Sequence, residues 1–144
     1  CICLAKMIAK DGEGATRLIE VRVSGARTED DAKKAAKAIV RSPLVKTAIF
    51  GKDPNWGRVI AAAGYSGAQV DQDRISLKFS GNNKEAVLVD SGKIVEGKLD
   101  VLKSIMESRE ILIEVELDLG ENSTTAWGCD LTYDYVKINA MYTT

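Results

Sequence analysis

A chain of 144 residues, 45% hydrophobic and 28% charged, is sized and composed for one domain with its own buried core. Its 20 basic and 21 acidic side chains are interspersed and nearly cancel, leaving a net charge of −1. That balance excludes the clustered positive surface of a nucleic-acid binder. No apolar run approaches the ~18–20 residues of a membrane span, so no membrane partner is expected.

Residues 1–10 are too short and too poorly composed for a signal peptide, and a soluble, cytoplasmic protein is the expectation. The cysteines are Cys1, Cys3 and Cys129, an odd set that argues against a disulfide framework. With no histidine and no second cysteine pair, Cys1 and Cys3 lack the further ligands of a zinc site, and no metal is expected. The absence of histidine also removes Ser-His-Asp and Cys-His catalysis from within the chain.

Ile2, Leu4, Ala5, Ile8 and Ala9 fall on one side of a helix already under way at the first residue, as in a piece of something longer. A terminal cysteine raises the alternative of an autoprocessed nucleophile whose own amine is its base. Such a nucleophile belongs at a strand end in a pocket, however, not inside an amphipathic helix. Asp11-Gly12-Glu13-Gly14 breaks that helix. Residues 17–24 then alternate, with Ile19, Val21 and Val23 on one face of a half-buried strand.

Thr28 is placed as an N-cap with Asp31 three residues on, and Ala32, Ala35, Ala36, Ile39 and Val40 share one helix face. Ser42-Pro43 stops that helix and starts a short one through Ile49. Asp53 is expected to cap a further helix with Pro54 at its first position and Trp56, Val59, Ile60 and Ala63 on one face. Ile75, Leu77 and Phe79 mark a strand, residues 86–89 a short one, and Asp90-Ser91-Gly92 a turn.

A helix is expected over residues 98–107, a strand over 110–119 with Ile111, Ile113, Val115 and Leu117 on one face, and a strand over 124–131. From Thr132 onward a capped helix and a continued strand are both compatible with the sequence, and Asp134 in a first turn favours the helix. Strands and helices do not alternate regularly, which points to the α+β class: a mixed or antiparallel sheet with packed helices, in a single domain over residues 1–144.

Three segments carry polar groups in unusual density. The acidic glycine turn at residues 11–14 lacks phosphate-loop spacing and would repel an anion. It reads as a polar turn closing a helix, with Glu13 as receiver of an ammonium group as the alternative. Asp53-Pro54-Asn55-Trp56-Gly57-Arg58 reads as a capped helix with a core tryptophan; the alternative is a helix N-terminus that takes a carboxylate or phosphate, helped by Arg58. In residues 124–130, alternation puts Trp127 and Cys129 on one face, and that face is expected to be core.

Taken together, Asp11-Gly12-Glu13-Gly14-Ala15-Thr16, the run from Ser42 to Gly51, Asp53-Pro54-Asn55-Trp56-Gly57-Arg58, the run from Thr125 to Val136 and Lys137-Ile138-Asn139-Ala140 resemble the C-terminal half of the ornithine acetyltransferase β-chain. The match runs in order over nearly the whole chain, with residues 71–110 following only the general pattern.

In that family a precursor cuts itself ahead of a threonine, which becomes the nucleophile of the β-chain. The threonine takes acetyl from N-acetylornithine and passes it to glutamate in arginine biosynthesis, and some members also accept acetyl-CoA. The resemblance implies that the nucleophile, the cut site and the oxyanion-hole threonines of the α-chain all lie upstream. No catalytic residue is then expected in this chain, which would be inactive alone, and Cys1 is not the nucleophile.

The resemblance further implies an α-chain partner in an α2β2 assembly, no cofactor beyond acetyl-CoA as an acetyl donor, and substrate contacts at Glu13, Asn139 and Thr144. Glu13 suits an ammonium, Asn139 offers both donors and an acceptor, and Thr144 brings a hydroxyl. Met141 and Thr143 depart from the family, where an acidic or small residue and an arginine are commoner. A non-catalytic ligand-binding or assembly domain is the alternative reading. A related autoprocessed aminopeptidase fits the tail motifs poorly.

Overall fold

Alternating apolar residues on strands and a three-to-four-residue apolar repeat on helices produce the architecture directly. The computed structural model describes residues 17–130. The predicted helix over residues 1–10, the glycine turn after it and the segment from Thr132 lie outside the described residues, as do Glu13, Asn139 and Thr144.

The described elements are β1 (Leu18–Ala26), α1 (Glu29–Arg41), α2 (Pro43–Phe50), α3 (Gly57–Gly64), β2 (Ser76–Gly81), β3 (Lys84–Asp90), β4 (Lys93–Ile94), α4 (Leu99–Ile105), β5 (Glu110–Glu116) and β6 (Asn122–Cys129). The strands form one sheet in the order β4-β3-β2-β5-β1-β6. β1 and β5 run parallel at its centre, and every other neighbouring pair is antiparallel. This is the α+β mixed sheet with packed helices that the element order implies.

Register makes the two faces explicit. Phe79, Ile113, Val21 and Ala126 lie in one row across four strands, and Leu77, Val115, Val23 and Thr124 in another. Apart from Ala126 and Thr124 on edge strand β6, these side chains are buried. They meet Ala32, Ala35, Ala36 and Ile39 of α1 and Leu102 and Ile105 of α4 in one apolar cluster. Alanines on the inner face of α1 allow its backbone close to the sheet, and Gly128 takes this furthest. A Cβ built there stands 2.6 Å from the Val40 side chain.

On the opposite face the rows are polar. Lys78, Glu114, Arg22 and Thr125 form one, and Ser80, Leu112, Glu20 and Trp127 the next. None of the described helices contributes to this face's rows.

Helix boundaries follow the capping chemistry in two cases and depart from it in a third. The Thr28 side chain accepts from the Asp31 N–H (3.0 Å), and the Ser42 hydroxyl accepts from the Val45 N–H (3.3 Å) with Pro43 in the first turn of α2. Asp53, expected to cap α3, does not. It is committed to closing α2: its N–H bonds the Ala48 carbonyl (2.8 Å), and the Lys52 N–H bonds Ile49 (3.2 Å). With Lys52 at φ 56, this is the six-to-one and five-to-two pattern of a Schellman end. α3 therefore starts at Gly57, after Pro54, with Trp56 at the N-cap and no side-chain cap.

The strands differ from the sequence expectation in three places. The strand expected to run to residue 119 stops at Glu116, because Asp118 turns the chain at φ 55. A register shift between Leu77 and Lys78 breaks the alternation of β3, so that Leu88 and Val89 are both buried. β4, with its two residues exposed, is too short to register as a period in the sequence.

Candidate functional site

Where the sheet opens toward both undescribed segments, four residues make a closed corner. Leu18, the first residue of β1, pairs with Cys129, the last of β6. One step further, the Asp130 N–H donates to the Arg17 carbonyl (3.3 Å) and the Arg17 N–H donates to Asp130 Oδ1 (2.9 Å). The segment carrying Glu13 and the segment carrying Asn139 and Thr144 therefore leave the described fold from hydrogen-bonded neighbours.

Arg17 fixes this corner to the helix layer. Its Nη1 reaches the Ile49 carbonyl (3.4 Å) and the Met106 carbonyl, at the C-terminal ends of α2 and α4. Terminal carbonyls lack intrahelical partners and carry the negative end of the helix dipole, so a guanidinium suits both. Asp130 is 2% exposed; it and Ser108 are the buried polar side chains among the described residues. A carboxylate so deep is tolerable only when hydrogen-bonded, as this one is.

Beside the corner, at the same end of the open face, lies a concavity of about 340 Å³ bordered by Glu20, Ser80, Asn82, Asn83, Glu110 and Leu112. Its floor is held by neighbours. The Trp127 Nε1 donates to Glu20 (2.6 Å), Arg22 donates to the same carboxylate (3.1 Å), and the Ser108 hydroxyl donates to the Glu110 carbonyl (2.7 Å). Its rim is the two-residue turn of the β2–β3 hairpin, with Asn82 and Asn83 at φ 52 and 59. Hydropathy periodicity does not reveal that turn, whereas the tolerance of asparagine for left-handed backbone does. Carboxylates and amide oxygens make this lining suited to hydrogen-bond donors such as amines.

A larger concavity, about 510 Å³, lies further along the same face among Arg22, Ser24, Lys78, Glu114 and Glu116. Its charges satisfy one another: Lys78 and Arg22 both reach Glu114 (3.0 and 3.7 Å), and the Ser24 hydroxyl bonds Glu116 (2.5 Å). Of the polar segments singled out from the sequence, residues 124–130 reach it, through Thr124 and Thr125.

The remaining sequence candidates resolve as follows. Arg58 does not face an anion site: Nη1 donates to the Leu44 carbonyl (2.8 Å) and Nη2 lies 3.9 Å from Asp53, tying α3 to α2. Trp56 packs half-buried against the core. Trp127 and Cys129 do share a face, but it is the open, polar one and not the helix-covered core. Alternation fixes which residues lie together, not which side the helices take. Cys129 is a free, half-buried thiol. No group of three or more Cys, Asp or Glu among the described residues is arranged to hold a metal ion, and none of their helices is long and apolar enough to cross a membrane.

Known proteins share this architecture and sequence. The fold matches that in the crystal structure of the arginine biosynthesis bifunctional protein argJ from Bacillus halodurans, with a TM-score of 0.90 at 46% identity over 99% of this chain and 65% of that one. The glutamate N-acetyltransferase of Methanosarcina mazei is 64% identical over 142 residues, which is 98% of this chain and 36% of that protein. The arginine biosynthesis bifunctional protein ArgJ of Caldanaerobacter subterraneus is 52% identical over 98% of this chain and 35% of its own length. The ArgJ family model matches residues 1–144, and the chain belongs to the ArgJ family. It spans about 36% of the length of the curated relatives it matches.

Proposed function

We propose that this chain is the C-terminal part of the β-chain of a cytoplasmic glutamate N-acetyltransferase, which moves acetyl from N-acetylornithine to glutamate in arginine biosynthesis. The observation that carries the reading is the corner at Arg17 and Asp130, from which the Glu13 segment and the Asn139 and Thr144 segment both depart. Glu13 lies four residues before Arg17 and Asn139 nine after Asp130, spans that extended chain covers in at most ~14 and ~32 Å. Spans of this order are compatible with both arms contacting one substrate. The names of close relatives, glutamate N-acetyltransferase and arginine biosynthesis bifunctional protein, support the same reaction.

In this reading a threonine upstream of the chain accepts acetyl from N-acetylornithine, releasing ornithine, and the glutamate amine then takes the acetyl and restores the hydroxyl. Glu13 holds a substrate ammonium, and Asn139 and Thr144 hold polar groups of the same molecule. The α-chain of the same precursor completes the site in an α2β2 assembly. Acetyl-CoA serves as a second acetyl donor in a bifunctional form, and no other cofactor is required.

The test is acetyl transfer between labelled N-acetylornithine and glutamate by the full-length protein that carries this chain. Transfer is expected, and Glu13→Ala should raise KM for N-acetylornithine about 10-fold or more, the loss of one hydrogen bond to a charged group. Absence of transfer in the intact protein overturns the activity, leaving a non-catalytic assembly or ligand-binding domain. Unchanged kinetics in the variant removes Glu13 from the site.

A further inference from the structure

We infer that the outer edge of β6 is covered by an extended, acidic strand supplied by the part of the protein that lies outside this chain. The inference rests on the reading above only in that this chain is one part of a longer protein. It gives a partner to a surface that the reading leaves unassigned.

Backbone parity shows which groups the edge presents. The Leu18 N–H bonds the Arg109 carbonyl (2.9 Å), and the Ser24 carbonyl accepts from the Leu117 N–H (2.9 Å), so the even-numbered residues of β1 turn toward β5. Its odd-numbered residues therefore bond β6, and their partners are Gly128, Ala126 and Thr124. The N–H and C=O groups of Thr125, Trp127 and Cys129 point away from β1. None of them has a backbone partner among the described residues.

The two edges of the sheet are built differently. β4 is two exposed residues long, one of them Lys93, and the stretch of β3 it leaves open carries Lys84 and Glu85. Short strands and charges keep an edge in water from pairing further. Residues 122–129 contain no charge and no proline, and Thr124, Thr125 and Trp127 are strand formers. Such an edge is suited to main-chain pairing with an added strand.

Charge selects the partner. Val40 packs on Gly128, so the stripe of α1 running back from Val40 through Lys37 and Lys33 lies over β6. Lys33 is paired with Glu29 (3.4 Å), whereas the exposed Lys37 and Arg41 make no ion pair among the described residues. A second copy that used all the outward groups would pair Trp127 with its own equivalent. Val40, above Gly128, lies beside that axis, so Lys37 and Arg41 would face the same cations of the other copy. A strand with carboxylates on its helix side meets them with opposite charge. The chain spans 36% of its Methanosarcina mazei relative and 65% of the Bacillus halodurans chain, which leaves further sequence to supply such a strand.

The test is amide hydrogen exchange at residue resolution in the full-length protein. The outward amides of Thr125, Trp127 and Cys129 are expected to exchange as slowly as the inward ones of Thr124, Ala126 and Gly128, at least about 1,000-fold below open-chain rates. Thr125→Pro removes an outward N–H and leaves the ladder to β1 intact. It should speed exchange at Trp127 and Cys129 about 10-fold or more. Should that variant not fold, the surface pair Lys37→Glu and Arg41→Glu should do the same by setting like charge beside the strand.

Outward amides at open-chain rates in the folded wild type would overturn the inference. So would charge reversal without effect, or protection that disappears on dilution, the mark of a second copy. Each of those results leaves the acetyltransferase reading standing. A protein protected at this edge but without acetyl transfer loses only the activity.

Discussion

Residues 78 and 79 are covalent neighbours that belong to different worlds. Phe79 is 1% exposed in a row with Ile113 and Val21 beneath the helices, and Lys78 lies in a row with Glu114 and Arg22 on the open face. The backbone hydrogen bonds serve both rows equally, so the faces differ only in what their side chains do. Parallel strands at a sheet centre are normally buried on both sides. Here the central β1–β5 pair has one dry face and one face whose charges are neutralised within the plane of the sheet. Stability is concentrated on the first, and the concavities and the acceptor groups beside the Arg17–Asp130 corner lie on the second.

The largest test of this contrast is Phe79→Ala against Ser80→Ala, one step along the same strand. Removing the ring leaves a cavity between sheet and helices and should cost about 3–5 kcal/mol in urea unfolding of the intact protein. Ser80→Ala should stay within about 0.5 kcal/mol. Equal losses would show that the open face is packed as tightly as the core, and the comparison would fail.

Gly128 sharpens the contrast at the sheet edge. It occupies the helix side of β6, and its absent side chain makes room for Val40, whose γ-carbon would stand 2.6 Å from a Cβ. β-Branched Val40 has little rotamer freedom within α1. Gly128→Ala should therefore cost about 1–3 kcal/mol through overpacking. In combination with Val40→Ala the loss should be smaller than the sum of the two single losses. Strict additivity would mean that the helix simply shifts outward.

Most of the dry face was legible in the sequence and little of the polar one. The spacing of Ala32, Ala35, Ala36, Ile39 and Val40 and the alternation of Ile111, Ile113 and Val115 each name a buried surface, because burial demands a period. Trp127 and Cys129 show where periodicity ends. Their shared face was readable, but its identity as the open side depends on which face of the sheet the helices cover, a long-range fact. Asp53 fails as a cap for a local reason: the Schellman end at Lys52 is followed by Pro54 and Asn55 before α3 opens at Gly57, so the N-cap position falls on Trp56, three residues beyond the Asp53 carboxylate. The Arg17–Asp130 corner joins residues 113 apart in sequence, and no window of the chain contains both. Glu13, Asn139 and Thr144 were legible through family resemblance alone, because their roles depend on a substrate rather than on a fold period.

The smallest effect separates charge from packing on the open face. Lys78 has its pKa raised, first by the hydrogen bond to Glu114, then by the attraction of that carboxylate and of Glu85. A raised folded-state pKa means that the charged lysine is favoured in the folded chain. Its contribution is therefore complete at neutral pH and is lost as pH climbs through the raised value, above the ordinary lysine range. The side chain remains about one-third exposed, so solvent screening keeps the contribution below about 1 kcal/mol. The difference in unfolding free energy between wild type and Lys78→Met should accordingly shrink in strongly alkaline buffer, and also in high salt. The Phe79→Ala penalty should respond to neither. A Lys78→Met penalty that stays constant from neutral to strongly alkaline pH would show that Lys78 acts through its packed methylenes, and the open face would then owe its order to apolar contact as the covered face does.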